Sequence, residues 1–162
     1  MPKYIFSRNG LREPPVCDAD IEHISLSFPI EGGDFTHAGY GSSEIKRTLK
    51  KLAVDPRTVR SIAIAAYEAE INVVAHADRG RISAIISTEA IIVFIEDQGP
   101  GIPDIERAME PGFSTASPKV REMGFGAGLG LPNIRDNVDF LQIESEVGIG
   151  TTLQFCIIFT CV

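Results

Sequence analysis

Three polar residues recur at four-residue intervals in one stretch of the chain: Glu68, Asn72 and His76. The stretch begins at an Asp-Pro pair, a typical helix start, and continues to about residue 77 without a helix breaker. Residues four apart lie on one face of a helix, so the spacing predicts a polar row. Apolar residues flank this row on both sides, which means that it cannot simply be the solvent face. Glu70 points to another side of the helix and is expected in solvent.

Glu68 and Asn72 allow two interpretations from their spacing alone. They can be polar groups of the core that are satisfied by hydrogen bonds, as most buried polar groups are. They can also be a carboxylate and an amide that line a cleft, where the amide oxygen is a suitable hard ligand for Mg²⁺. His76, at the end of the row, is expected to have a structural role.

A second group of candidate residues, Asp97-Gln98-Gly99-Pro100-Gly101, directly follows a run of Ile and Val that predicts a strand. An acidic side chain at a strand end can accept a hydrogen bond from an exocyclic amine, such as the one at N6 of adenine. The two glycines allow the backbone to turn tightly against a flat ring. The alternative is a plain Gly-Pro turn, because this short pattern is weak on its own.

The third group, residues 124–131, has four alternate glycines that open a predicted helix. Backbone N–H groups at a helix N-terminus form an anion site that suits phosphates. The pattern is not a Walker A loop, because no Lys-Ser/Thr pair follows, and no βαβ unit surrounds it as in a dinucleotide site. A flexible hinge is the alternative. Gly150-Thr151-Thr152, at a predicted strand start, is the weakest group, and a plain turn is its simpler interpretation.

Local patterns also predict the elements that position these groups. We expect strands over residues 21–30, 81–87, 90–96, 141–145 and 151–159, and helices over 43–54, 55–77 and 131–140. Residues 98–130 are expected to form one long loop with a short helix near 104–109, and a loop of this length is often a functional lid. Helices clustered early and strands paired late predict an α+β fold. This is a two-layer sandwich with helices on one face of a mixed, mostly antiparallel sheet.

The composition is typical of one globular domain: 162 residues, 44% of them hydrophobic and 23% charged. We expect an irregular N-terminal extension over residues 1–20 and the folded domain over residues 21–162. The net charge of −7 disfavours nucleic acid as a partner. No apolar stretch approaches the ~18 residues of a membrane span, and the start of the chain does not resemble a signal peptide. We therefore expect a cytoplasmic protein that does not bind membranes.

In this order, the four groups resemble the N, G1, G2 and G3 boxes of the GHKL ATPase and kinase superfamily, whose nucleotide-binding fold is also called the Bergerat fold. The resemblance covers roughly residues 21–159 and implies ATP and Mg²⁺ as cofactors. It implies that Asn72 coordinates Mg²⁺, that Asp97 binds the adenine amine, and that ATP orders a lid from about residue 109 to 128. The nucleotide-binding residues it implies are Asn72, Asp97, Gly99, Gly101, Gly126, Gly128, Gly130, Leu131 and Thr151.

Within the superfamily, the chain resembles the bacterial anti-sigma-factor and stressosome-switch serine kinases. The likeness is carried by the stretch GPGIPDIERAM at residues 99–109, by Phe113-Ser114-Thr115, and by the spacing of Asn72 and His76. It implies transfer of the ATP γ-phosphoryl group to a serine or threonine of a small antagonist protein, with Glu68 as general base and a sigma factor as a further partner. Two alternatives stay open: an ATP-responsive binding module without phosphotransfer, and a catalytic domain of histidine-kinase type that acts in trans.

Overall fold

The computed structural model describes residues 2–13, 22–114, 116–122 and 128–159. From residue 24 onward its elements follow the sequence prediction closely, apart from the short helix α4, which lies in the segment predicted as loop. The elements in chain order are β1 (Lys3–Ser7), β2 (Ile24–Glu31), α1 (Tyr40–Lys51), α2 (Pro56–His76), β3 (Arg79–Ile86), β4 (Ala90–Gln98), α3 (Ile105–Ala108), α4 (Pro118–Glu122), α5 (Gly130–Asn137), β5 (Phe140–Glu146) and β6 (Gly150–Ile158).

The strands form one sheet in the order β1-β5-β6-β4-β3-β2. Residues of α1, α2 and α5 share one hydrophobic core with the sheet, which confirms the predicted two-layer α+β sandwich. The prediction allowed for a mixed sheet, but every pairing among the described strands is antiparallel. The sheet positions the end of β4 directly beside the start of β6, and both strands carry candidate site residues.

β1 lies within the segment predicted to be irregular, and that part of the prediction is wrong. The strand pairs with β5, at the far end of the chain. Tyr4 and Phe6 pack against the core, whereas Ile5 between them is 50% exposed, which is the two-residue period of a strand. Five residues are too few for this period to stand out in the sequence, and the pairing partner is not local. The expected end of the extension at residue 20 lies outside the described residues.

The core lies between α2 and the sheet. Ala66 and Val73 on α2 are almost completely buried and belong to the same apolar cluster as Phe155 on β6. The helix begins where the sequence predicts, because Asp55 Oδ2 accepts a hydrogen bond from Arg57 N at 3.1 Å and caps it. The apolar contact fixes the rotation of α2 about its axis, and therefore the direction in which its polar row points.

Glu70 is not solvated as expected, since the residue is only 3% exposed. Its Oε1 accepts hydrogen bonds from Gly41 N at 2.8 Å and from Ser42 N at 3.3 Å, at the start of α1. The N-cap residue of α1 is Gly39, which has no side chain to cap the helix, so a carboxylate from α2 supplies the acceptor. Burial raises the pKa of Glu70, and these hydrogen bonds oppose the rise. Nothing local in the sequence places the start of α1 against α2.

Candidate functional site

A cleft of about 660 Å³ opens between α2, the loop after β4 with α3, and the start of α5. This volume is in the range of ligand pockets in proteins. The predicted site residues that line it are Glu68, Asn72, Asp97, Gly101, Gly128, Gly130, Leu131 and Thr151. Gly99 does not line the cleft and packs against Ala77, which does. Gly126 lies outside the described residues. The fold thus brings residues from four separate segments into one cavity.

Glu68 and Asn72 lie where α2 meets the first residue of α5, Gly130. A Cβ atom placed on Gly130 would lie 3.2 Å from Glu68 Oε2 and 3.3 Å from Asn72 Oδ1. A side chain at this position would crowd both the carboxylate and the amide, so glycine keeps this part of the cleft open. Both polar side chains are half-buried and line the cleft. This placement favours the cleft interpretation of their spacing over the interpretation as sealed core groups.

The surroundings of Glu68 alter its protonation. Burial raises the pKa of the Glu68 carboxyl above its ordinary value, and a hydrogen bond with the Asn133 side chain opposes the rise. A carboxylate with a raised pKa is a stronger base than one in water, which suits general-base catalysis near neutral pH. Asn133 was missed by the sequence analysis. Its spacing from Gly130, three residues along a predicted helix, is the kind of pattern that could have pointed to it.

Asp97 lies in the same cleft, one residue before the end of β4. Its Oδ1 accepts a hydrogen bond from Thr151 N at 3.1 Å, which holds the side chain beside β6. Burial raises the pKa of Asp97, and the N–H of Thr151 opposes the rise. Because an ionised carboxylate has two oxygens with several acceptor positions, Asp97 can still accept a hydrogen bond from a donor in the cleft.

Ser145, on β5, links the loop after β4 to β6 through hydrogen bonds. The sequence analysis did not identify this residue. The residue is 1% exposed, and its Oγ accepts a hydrogen bond from Ile102 N at 2.7 Å and lies 2.9 Å from Thr151 Oγ1. In the same loop, Gly101 has a φ of 75° and passes so close to the Glu146 carbonyl that a Cβ would clash with it. Ser145 lies opposite Thr151 in the β5–β6 register, a pairing that only the sheet reveals.

The rim of the cleft near α3 holds Arg107 and Phe113. The Arg107 Cζ atom lies 4.6 Å from the centroid of the Phe113 ring, a cation–π contact. Phe113 follows Gly112, whose N–H donates to the Gly128 carbonyl at 2.9 Å. Gly128 has a φ of 79°, and a side chain on it would clash with Gly112. The two ends of segment 112–128 therefore meet next to the cleft, where the sequence predicts the base of a lid.

Comparison with known proteins identifies the family to which this site belongs. Residues 58–160 match the family described as histidine kinase-, DNA gyrase B-, and HSP90-like ATPase. The chain belongs to this ATPase family. The matched region contains every residue that lines the cleft, from Tyr67 on α2 to Leu153 on β6.

The individual relatives include a serine/threonine-protein kinase and anti-sigma F factors. The chain is 33% identical over 116 residues to serine/threonine-protein kinase RsbT of Bacillus subtilis (strain 168), with 72% of this chain and 74% of that protein aligned. It is 34% identical over 101 residues to an anti-sigma F factor of Thermoanaerobacter sp. (strain X514), with 59% and 67% aligned. It is 34% identical over 108 residues to an anti-sigma F factor of Geobacillus stearothermophilus, with 62% and 70% aligned. These similarities confirm the family resemblance that the motifs indicate.

Two further observations concern membranes and metals. Across the described residues, no helix combines the length and the apolar character needed to cross a membrane. The same residues contain no group of three or more His, Cys, Asp or Glu that could hold a metal ion. A cation in the cleft would therefore need ligands other than a cluster of three such side chains among these residues. Mg²⁺ is commonly bound in this way beside phosphates.

Proposed function

We propose that the protein is a Mg-ATP-dependent serine/threonine kinase that phosphorylates a small antagonist protein in a bacterial transcription or stress-signalling switch. The observation that carries this proposal is the meeting of Glu68, Asn72 and Gly130 in the cleft that also contains Asp97. A candidate base and a candidate metal ligand lie side by side there, next to a helix N-terminus. Membership of the ATPase family supports the use of ATP, and the similarity to a serine/threonine-protein kinase supports phosphotransfer.

ATP fits the distribution of polar groups along the cleft. Asp97 is held in place by the N–H of Thr151 and offers its remaining acceptor positions to the adenine amine. Gly101 allows the loop after β4 to turn beside the base. The N-terminus of α5, preceded by Gly128, offers backbone N–H groups and the positive end of the helix dipole to the phosphates.

Mg²⁺ fits the part of the cleft that contains Asn72. The Asn72 Oδ1 atom is a hard oxygen ligand in a half-buried side chain, and Gly130 leaves the space beside it free. When bound, the ion would neutralise charge on the phosphates of ATP. Asn72 would hold it from the protein side, and phosphate oxygens would supply further ligands.

Glu68 acts as the general base in this proposal. A hydroxyl oxygen of the partner forms a bond to the γ-phosphorus of ATP, the bond from that phosphorus to the bridging oxygen breaks, and ADP leaves. The hydroxyl proton passes to the Glu68 carboxylate. Burial raises the pKa of this carboxyl, which suits it to the task. The remaining residues of the cleft position the nucleotide, because phosphoryl transfer depends mainly on positioning and charge neutralisation.

The type of residue that is phosphorylated on the partner can be identified from the acid stability of its phosphate. We expect γ-labelled ATP, the protein and a small antagonist protein of the proposed kind to yield a labelled antagonist whose phosphate survives acid treatment, as phosphoserine does. An acid-labile phosphate would instead indicate transfer to histidine. Partner affinity that responds to ATP with no labelled product would indicate a binding module. A sigma factor is the second partner we propose, on the similarity to anti-sigma F factors.

Asp97 is expected to select adenine over guanine. Guanine has a carbonyl where adenine has its amine, so GTP should bind roughly 10²-fold or more weakly than ATP, because the partly buried acceptor would be left unpaired. Asp97→Asn should weaken ATP binding severely for the same reason. Calorimetric titration with both nucleotides measures this. Glu96→Gln, which alters an exposed carboxylate on the other face of β4, is the matched control and should bind normally. Equal affinities for ATP and GTP would contradict the assignment.

A further inference from the structure

Arg107, on α3, is the only arginine or lysine among the described residues that line the cleft. The same residues include three carboxyl groups, those of Glu68, Asp97 and Asp104. The ring of His76 is also there, and burial lowers its pKa below the ordinary value, which favours the neutral form near pH 7. A nucleotide brings several negative charges into this cleft, and fixed cations stabilise bound phosphates. Arg107 is therefore the side chain there that offers phosphates a permanent positive charge.

Helix α3 holds Arg107 at the rim of the cleft. Ile105 and Met109 are almost completely buried in the core, whereas Arg107, between them in the sequence, is exposed. The side chain of Asp104 caps the helix, since its Oδ1 accepts a hydrogen bond from Arg107 N at 3.1 Å. These contacts fix the backbone of Arg107 and leave its side chain to extend along the cleft wall.

The guanidinium of Arg107 lies over the half-buried ring of Phe113, with Cζ 4.6 Å from the ring centroid. Within the described parts of the chain, no ion pair engages this guanidinium. A cation–π contact restricts where the group lies, but it does not consume the N–H donors at the edge of the guanidinium plane. Those donors match the oxygens of a phosphate, which arginine binds through two parallel hydrogen bonds.

Phe113 lies next to the start of α5, where the phosphates are proposed to bind. A Cβ atom placed on Gly128 would lie 2.7 Å from Phe113 N, so the two backbones are in contact. Gly128 is two residues before Gly130, and two residues span at most ~7 Å. A Cβ atom on Gly130 would in turn lie 3.3 Å from Asn72 Oδ1. Short contacts thus connect the Arg107 guanidinium to the part of the cleft that contains the candidate metal ligand.

We propose that Arg107 is a phosphate-binding residue, whose guanidinium donates hydrogen bonds to the β- and γ-phosphates of ATP while the Phe113 ring holds it at the rim of the cleft. This inference rests on the proposed function, because it takes ATP as the ligand. Neither the glycine motifs nor the family resemblance assigns this role to Arg107. The motifs offer backbone N–H groups to the phosphates, and Arg107 adds a cationic side chain from α3.

The test compares the affinities of the full chain for Mg-ATP and for AMP, which lacks the two phosphates that Arg107 is proposed to bind. We expect Arg107→Ala to weaken Mg-ATP binding by roughly 10–100-fold, as loss of hydrogen bonds to a charged group should, and to leave AMP binding unchanged. Arg107→Lys keeps the charge but not the two parallel donors, and should lose less. Phe113→Leu keeps an apolar side chain without the ring, and should also lose less. Calorimetric titration measures all of these affinities.

Arg60→Ala is the matched control. Arg60 is an exposed arginine on α2 that does not line the cleft, and its removal changes the net charge by the same amount. It should bind Mg-ATP within about twofold of the wild type, because charges far from the ligand are screened by salt. Melting curves show whether each variant is folded, and Arg107→Gln, which keeps more of the side chain, replaces Arg107→Ala if that variant does not fold.

Three results would overturn the proposal. The first is a folded Arg107→Ala protein that binds Mg-ATP as tightly as Arg60→Ala does. The second is an equal loss of affinity for Mg-ATP and AMP, which would place the effect in the fold or at the base. The third is unchanged nucleotide affinity with weaker binding of the protein partner, which would pair the guanidinium with an acidic group of that partner. Failure of the wild type to bind Mg-ATP would refute the proposed function itself, and this outcome differs from all three.

Discussion

Glu68→Gln should bind Mg-ATP nearly as tightly as the wild type and transfer phosphate to the partner ~10²–10⁴-fold more slowly, the usual weight of general-base catalysis. Glutamine keeps the size of the side chain and a hydrogen-bonding group, but it cannot take up a proton. The affinity for Mg-ATP should therefore be kept in this variant while the rate of phosphate transfer falls. Calorimetry with Mg-ATP measures the first, and single-turnover assays with labelled ATP and the antagonist measure the second.

Glu70→Gln is the matched control for this experiment. Glu70 lies on the same helix, is more deeply buried than Glu68 and also has a raised pKa, but its carboxylate caps α1 instead of lining the cleft. Glu70→Gln should lower the free energy of unfolding and leave the transfer rate of the folded protein unchanged. Transfer by Glu68→Gln at the wild-type rate would remove Glu68 from the mechanism.

The stability of Glu68→Gln provides an independent readout with a defined dependence on pH. Burial raises the pKa of Glu68 in the folded protein above its ordinary value of 4.5. Ionised Glu68 therefore costs folding free energy at higher pH, and the cost disappears as the pH falls and both the folded and unfolded states become protonated. Glu68→Gln should melt above the wild type near pH 7, with a difference that shrinks toward pH 4. A satisfied core carboxylate would instead give a lower melting temperature at every pH.

Asn72→Ala should abolish the dependence of ATP affinity on Mg²⁺ and reduce transfer below detection. The substitution removes the amide oxygen that lies beside Glu68 and Gly130, the protein ligand proposed for the ion. Loss of a direct ligand should exceed the ~10–100-fold effect that removal of a supporting residue has at metal sites. Titrations of ATP with Mg²⁺ and with EDTA measure the metal-dependent part of the affinity.

Two comparisons make the Asn72 experiment specific. Asn72→Asp restores a hard oxygen ligand at the same position and should recover part of the Mg²⁺ dependence, although its charge lies close to that of Glu68. Melting curves show whether either variant loses its fold. A folded Asn72→Ala protein whose ATP affinity still rises with Mg²⁺ as in the wild type would contradict the assignment of Asn72 as ligand.

Much of the site could be predicted because its parts are local. The row of Glu68 and Asn72 follows from the period of one helix, and the start of that helix follows from the capping chemistry of Asp55. Asp97 could be placed because a strand and a glycine turn meet at that point in the sequence. These features depend on neighbours within a few residues, so they can be predicted without knowledge of the tertiary structure.

The contacts that could not be predicted join segments that are far apart in the chain. Glu70 is expected in solvent from the helix period alone, yet it caps α1, because α1 packs with its uncapped start against α2. Ser145 reaches Ile102 and Thr151 only because β5 and β6 pair in one particular register. A polar residue in an ordinary strand has no local sign of such a role.

The sequence by itself determined the chemical groups, the order in which they occur and the family to which they belong. Its four glycine and polar motifs predict an acceptor for an amine, an anion site, a carboxylate and a hard oxygen ligand. The tertiary structure alone decided that these groups meet in one cleft and which of them are neighbours there. Glu68 and Asn72 lie beside Gly130 because α5 packs against α2, and this glycine leaves room for both side chains. The physical reason is that the helix period sets the face on which a side chain lies, whereas the packing of other elements sets what it faces.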